Sequence, residues 1–180
     1  MSTIQEAKYN QLKAYFENLS IQNLKVLHVP GREMHFCRME LHEYLNAIPE
    51  KLNFPAVVME SWDFRMNDNR ADQISKLRNC ALLILQRVTD PNDFDAIDQA
   101  YETTEEIVDD FVSRMVDDRN LRNSPVIRDI DFNSIEGIRI NPQPLHFGIR
   151  ITFSLTSLVD QSVNKDAWLD LKPMEGNPND

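Results

Sequence analysis

Residues 3–20, TIQEAKYNQLKAYFENLS, place Ile4, Ala7, Leu12, Tyr15, Phe16 and Leu19 along one side of a helix. Thr3 and Glu6 stand at capping-box separation, so the pattern predicts an amphipathic first helix that starts there. LKVLHV at 24–29 reads as a short strand, and Pro30-Gly31 breaks the chain after it. Residues 33–48 then set Met34, Cys37, Leu41, Tyr44 or Leu45, and Ile48 at alternating steps of three and four. This spacing predicts a second helix, which Pro49 stops.

From Phe54 the period changes to two. Trp62, Phe64 and Met66 alternate with Asp63, Arg65 and Asn67, a pattern that predicts a strand with one wet face. CALLILQRV at 80–88 begins apolar on both parities, as a central strand covered on both sides does. After the turn TDPND, the run 93–119 steps Phe94, Ile97, Tyr101, Thr104, Val108, Phe111 and Met115 along one face, with Asp93 as the N-cap or within the first turn. The other positions of this predicted helix carry Asp95, Asp98, Glu102, Glu105, Glu106, Asp109, Asp110, Asp117 and Asp118, which gathers much of the negative charge onto one surface.

Beyond RNLRNSP only strands are predicted. Val126, Ile130 and Phe132 share a parity, IEGIRIN follows, and in LHFGIRITFSLTSLV the residues Ile149, Ile151, Phe153 and Leu155 alternate with Arg150, Thr152 and Ser154. The tetrapeptide GIRI occurs twice, starting eleven residues apart, too close for a repeat with its own core. The two copies read as neighbouring antiparallel strands that bury their isoleucines and turn Arg139 and Arg150 away from the core. NPQP between them reads as a loop or flexible arm, because proline supplies no ladder donor. The fold class predicted is α+β, a mainly antiparallel sheet flanked by one long acidic helix and by N-terminal helices. Residues 1–160 are expected to form a single domain, and 161–180 a C-terminal extension or arm, partly disordered, with Trp168, Leu169 and Leu171 as anchors.

Composition narrows the function classes. The 19 basic and 29 acidic residues give a net charge of −10, which disfavours sequence-specific nucleic-acid binding. The N-terminus lacks the basic-then-apolar pattern of a signal peptide, and the aliphatic run ALLIL is far short of a membrane span, so a soluble, unexported chain without membrane contact is expected. Two cysteines, Cys37 and Cys80, suit reduced thiols rather than a disulfide framework. Only four glycines occur, none close enough to another to cradle a phosphate or a dinucleotide, so no cofactor is expected.

Candidate chemistry is sparse. His35, Cys37 and His42 are the one cluster of soft ligands, but on a helix the two histidines would lie about 10.5 Å apart along the axis, too far to share a zinc ion. Glu102, Glu105, Glu106 and Asp109 have no Glu-x-x-His companions of the di-iron kind, and a solvated or partner-facing acidic surface is the simpler reading. No GxSxG elbow is present, neither cysteine has a nucleophile context, and His28 and His146 read as packing or edge residues. No catalytic, cofactor-binding or metal residue is therefore assigned. Arg128, Arg139 and Arg150 could form a positive stripe across the sheet; cross-strand pairing with Asp129, Asp131 and Glu136 is the preferred reading and an intersubunit contact the functional one, with Trp168 as a further possible interface residue.

The order of elements, with helices first, strands beginning at FPAVVMESWDF and CALLILQRV, a long helix, and a strand-rich end finishing in FGIRITFSL, resembles the tail terminator or tail-completion proteins of long-tailed bacteriophages. The resemblance covers about residues 1–160. It implies a non-enzymatic virion protein of the tail or neck, made in the host cytoplasm. Such a protein forms a ring, typically hexameric, at the head-proximal end of the tail tube, ends tail growth, and joins the tube protein to a neck or head-completion protein. HFCRMELHEY and the acidic tail depart from the usual pattern and leave a related neck component open. Two further readings stand beside it: an assembly adaptor or chaperone with a basic client, and a small metal-dependent enzyme using His35 or His42.

Overall fold

The computed structural model describes residues 8–46, 51–71, 73–121, 125–168 and 170. Among them α1 (Tyr9–Gln22), β1 (Met34–Arg38), α2 (Leu41–Asn46), β2 (Leu52–Met59), β3 (Asp63–Asp68), β4 (Ile74–Arg87), α3 (Phe94–Asn120), α4 (Pro125–Arg128), β5 (Ile130–Gln143) and β6 (His146–Leu158) follow one another. The fold is α+β, with one mostly antiparallel sheet ordered β1-β2-β4-β6-β5, and β3 added to β4. β1 with β2 is the parallel pair. The long strand β4 organises the sheet. One of its edges pairs with β6 from Ser75 to Arg87, while the other is shared, β2 taking Leu82–Leu85 and β3 taking 74–79.

The apolar run in β4 is buried on both sides because each side has its own cover. Cys80, Leu82 and Ile84 face α1 and α3, where Phe16, Phe111, Met115, Ile151 and Phe153 complete the larger core. Leu83 and Leu85 face the other way, under Tyr44 of α2 with Leu52, Ala56 and Val58. Each buried leucine, isoleucine, valine, phenylalanine or methionine among them contributes roughly 1.5–3 kcal/mol through loss of apolar surface from water. Gly148 of β6, paired opposite Leu85 of β4, leaves no room for a side chain: a Cβ there would stand 2.0 Å from the Ile84 carbonyl oxygen.

The long helix forms where its periodicity predicts. The Asp93 carboxylate accepts from the Ala96 N–H at 3.0 Å, satisfying one of the unpaired donors of the first turn. Its buried side is Ala100, Thr104, Ile107, Phe111, Met115 and Asp118. That stripe is displaced from the expected one: Phe94 is 76% exposed, while Ile97, Tyr101 and Val108 flank the buried line. Asp118, expected on the acidic surface, is buried, and its carboxylate accepts from the Tyr15 hydroxyl at 2.7 Å and from Arg114 Nε at 3.1 Å. It thereby ties α3 to α1. Burial, and then the neighbouring Asp118, push the Tyr15 hydroxyl well above its ordinary pKa.

Several expectations give way. The predicted helix over 33–48 is instead β1 followed by the short α2, with Phe36↔Val57, Cys37↔Val58 and Arg38↔Met59 in parallel register. MHFCR alternates as well as it steps by three and four, and the free edge of β2 gives its backbone partners that no helix spacing reveals. LKVLHV forms no strand; Val26 and Leu27 donate back to the Asn23 carbonyl, and only Val29 makes an isolated bridge, to Glu33. The stretch after RNLRNSP opens with the turn of helix α4. In NPQP, β5 continues through Gln143, leaving Pro144 and Leu145 as the turn. The Thr3–Glu6 cap, Ile48, Pro49, Leu169 and Leu171 lie outside the described residues. Among the described residues α1 starts at Tyr9, and the Lys8 N–H just before it donates to Gln11 Oε1 at 2.9 Å.

The two GIRI segments do pair with each other, antiparallel as expected. Gly137 meets Ile151, Ile138 meets Arg150, Arg139 meets Ile149 and Ile140 meets Gly148. Antiparallel pairing reverses one copy, so each arginine stands opposite an isoleucine and the two arginines point to opposite faces. The idea that both turn away from the core side is corrected by this register, and with it the idea that Arg139 and Arg150 line one stripe.

Candidate interaction surfaces

Arg150 lies on the α2 face of the sheet and holds Glu60 in a fork, Nε to Oε1 at 2.8 Å and Nη2 to Oε2 at 2.9 Å. The side chains are 26% and 11% exposed, so this is a half-buried structural pair. The hydrogen bonds to Glu60 raise the Arg150 pKa further above its already high value. Arg139 lies on the α3 face, 4.9 Å from the Tyr101 ring centroid. Arg128 is exposed and bonds its sequence neighbour, Nε to Asp129 Oδ1 at 3.1 Å. Trp168 is 58% exposed and follows a 3-10 turn, Lys165–Ala167, capped by Asn164. The four residues named from sequence therefore stand in four separate settings.

The soft ligands are also dispersed. His35 and Cys37 sit on β1 and His42 on α2, and among the described residues no three His, Cys, Asp or Glu side chains come together to hold a metal ion. The His35 ring donates from Nδ1 to the Pro55 carbonyl at 2.7 Å, and its backbone N–H donates to His28 Nδ1 at 3.1 Å. Burial pushes the Cys37 thiol up to about 11 and Cys80 to about 12, so both remain protonated, unreactive packing groups. His146 is buried, stacked on Phe54 at 4.6 Å between centroids, and its Nδ1 shares a hydrogen bond with the Tyr44 hydroxyl at 3.2 Å. Burial, helped by the positive charge of Arg87, lowers its pKa and keeps the ring neutral.

What remains for chemistry is surface. On α3 the exposed carboxylates Asp95, Asp98, Glu102, Glu105, Glu106, Asp109, Asp110 and Asp117 face outward. Lys25 bridges Glu106 and Asp110 at 3.1 Å each. A cleft of about 280 Å³ runs between Glu105, Val108 and Asp109 on α3 and Gly137–Arg139 on β5. At the other side of the sheet, all six residues of β3 are exposed, Phe64 at 59% and Met66 at 50%. Strict alternation predicted one buried side for this strand, but no described helix reaches it. Ile138 is likewise 56% exposed. Its exposure was legible in principle, since pairing GIRI with its own reversed copy sets Ile138 against Arg150. The exposure of Phe64 had no such signal.

These surfaces define an α+β protein with open strand edges at β3 and β5 and much of its negative charge gathered on one helix. No family model matches this sequence, and no curated protein matches it.

Proposed function

We propose that this protein is a structural component of a phage virion, assembling as a ring, hexameric by the resemblance to tail terminators, on the head-proximal end of the tail tube. There it ends tube growth and presents a docking surface to a neck or head-completion protein. The observation that carries this reading is the combination of the open strand edges at β3 and β5 with a long helix whose outward face is rich in carboxylates. Open edges suit association with other chains. If α3 faces the lumen, its carboxylates repel passing DNA phosphates, so that DNA moves without adhering. Ring location, host compartment and partner proteins belong to the same proposal.

The test is solution mass by light scattering over a concentration series, with negative-stain images of the protein alone and mixed with tail tubes. Rings, or a monomer that becomes a ring only on tube ends, support the proposal; a monomer without affinity for tubes overturns it. The cleft beside Glu105 and Asp109 favours one second reading, an adaptor that binds a basic extended segment. That reading predicts a monomer or dimer absent from finished particles.

A further inference from the structure

Three described strands have a single strand neighbour: β1 pairs only with β2, β3 only with β4, and β5 only with β6. On β1 the His35 N–H already donates to His28 Nδ1, whereas β3 and β5 lie at opposite sides of the sheet with long unpaired edges. Natural sheets protect their edges with proline, bulges or covering elements. β5 has irregular register between Asp131 and Glu136 and again between Ile140 and Gln143, with Pro142 in the second, but Glu136–Ile140 between them is regular and free of proline. β3, DFRMND, contains neither proline nor glycine and keeps unbroken register from Asp63 to Asp68.

The strand senses make these two edges compatible. β3 is antiparallel to β4, β4 to β6, and β6 to β5. β3 and β5 therefore run in opposite directions. A second copy generated by rotation about an axis along the strands brings its β5 beside β3 of the first in antiparallel orientation, and each sheet face continues into the same face of its neighbour.

The side chains fit the same arrangement. On the α3 face Phe64 and Met66 are exposed, with Lys76 4.9 Å from the Phe64 ring centroid. The corresponding face of β5 offers the cleft with Val108 and Ile149 as apolar lining, Glu105 and Asp109 on the α3 wall and Arg139 on the β5 wall. On the opposite face Arg65 of β3 faces the side on which β5 carries Glu136 and the exposed Ile138. Asp68 is turned inward to its own loop, accepting from the Arg70 N–H at 2.7 Å. Both edges thus present exposed apolar side chains, and Lys76 and Arg65 on the β3 side can meet Glu105, Asp109 and Glu136 on the β5 side, with Asp63 of β3 left facing solvent in the same pairing.

We propose that the subunits associate head to tail by antiparallel pairing of β3 in one copy with the Glu136–Ile140 stretch of β5 in the next, a second copy of this chain being the occupant of the α3–β5 cleft. The inference rests on the ring reading and specifies its interface. A heterologous contact of this kind closes into a ring when the rotation per subunit divides the circle.

Variants with one added cysteine, made in a Cys37→Ser/Cys80→Ala background shown to keep the wild-type assembly state, test it: Arg65→Cys and Asn67→Cys on β3, Glu136→Cys and Ile138→Cys on β5, all exposed and all on the face away from α3. Oxidised mixtures of one β3 and one β5 variant are expected to give disulfide-linked dimers several-fold above either variant alone. The double variant Arg65→Cys/Ile138→Cys is expected to give a ladder on non-reducing gels that ends at the ring. Absence of mixed links in every combination overturns the proposal, as does Arg65→Cys linking chiefly to itself, the mark of a twofold β3–β3 contact. Rings seen in images of wild-type protein without any mixed link overturn the edge pairing while leaving the ring reading intact. A monomer at every concentration, with a lysine-rich peptide taken up in the cleft, overturns both.

Discussion

β4 passes through two environments along one strand. From Cys80 to Leu85 every residue is buried, with α1 and α3 on one face and α2 on the other. From Ile74 to Asn79 it pairs just as fully, with β6 on one edge and β3 on the other, yet its partner β3 is exposed throughout. Backbone pairing is the same in both halves; side-chain cover is not. Hydrogen bonding makes a strand, but only burial against a second layer makes it a core, and the uncovered half is where association with another molecule removes most apolar surface from water.

The sharpest way to break the contrast is in the covered half. Gly148→Ala forces a methyl group against the Ile84 carbonyl and is expected to abolish most of the folding stability, and Leu82→Ala is expected to cost about 2–5 kcal/mol. Urea denaturation measures both, and a loss under 1 kcal/mol for Leu82→Ala would mean the two halves do not differ as described.

Next in size is the pair on the α2 face. Glu60→Ala strands a half-buried guanidinium and is expected to cost about 2–3 kcal/mol, whereas Glu60→Leu with Arg150→Met restores most of the loss. A double variant no better than the single would show that the fork does more than neutralise charge. Removing the N-cap by Asp93→Ala is expected to cost about 1 kcal/mol, read from the same denaturation curves.

His146 gives a pH signature to the covered side. Its folded pKa lies below the ordinary 6.5, so its contribution is complete above that value. As pH falls below it the unfolded chain takes up a proton that the folded protein resists, and stability drops until the folded pKa is passed. His146→Gln is expected to remove that part of the slope of melting temperature against pH; an unchanged slope would assign the pH dependence to other groups.

The smallest effect on stability belongs to the open half. Phe64→Ser with Met66→Ser is expected to change folding stability by about 0.5 kcal/mol or less. The same variant is expected to lose self-association in light scattering, and retained assembly would move the interface elsewhere.

The sequence by itself determined those elements whose pattern has one solution. The run CALLILQRV is central because apolar residues on both parities must be covered twice, and α3 is a helix because its apolar stripe recurs over 27 residues. The antiparallel meeting of the two GIRI segments follows from their closeness in the chain. Tertiary structure decided the rest. MHFCR could step as a helix or alternate as a strand, and the vacant edge of β2 selected the strand. Register, rather than composition, sent Arg139 and Arg150 to opposite faces, one over Tyr101 and one onto Glu60. Phe64 and Met66 alternate as buried residues do, yet remain exposed because no described helix lies over them. Periodicity records which side of a strand is apolar; whether anything covers that side depends on where distant segments pack, and local sequence carries no trace of it.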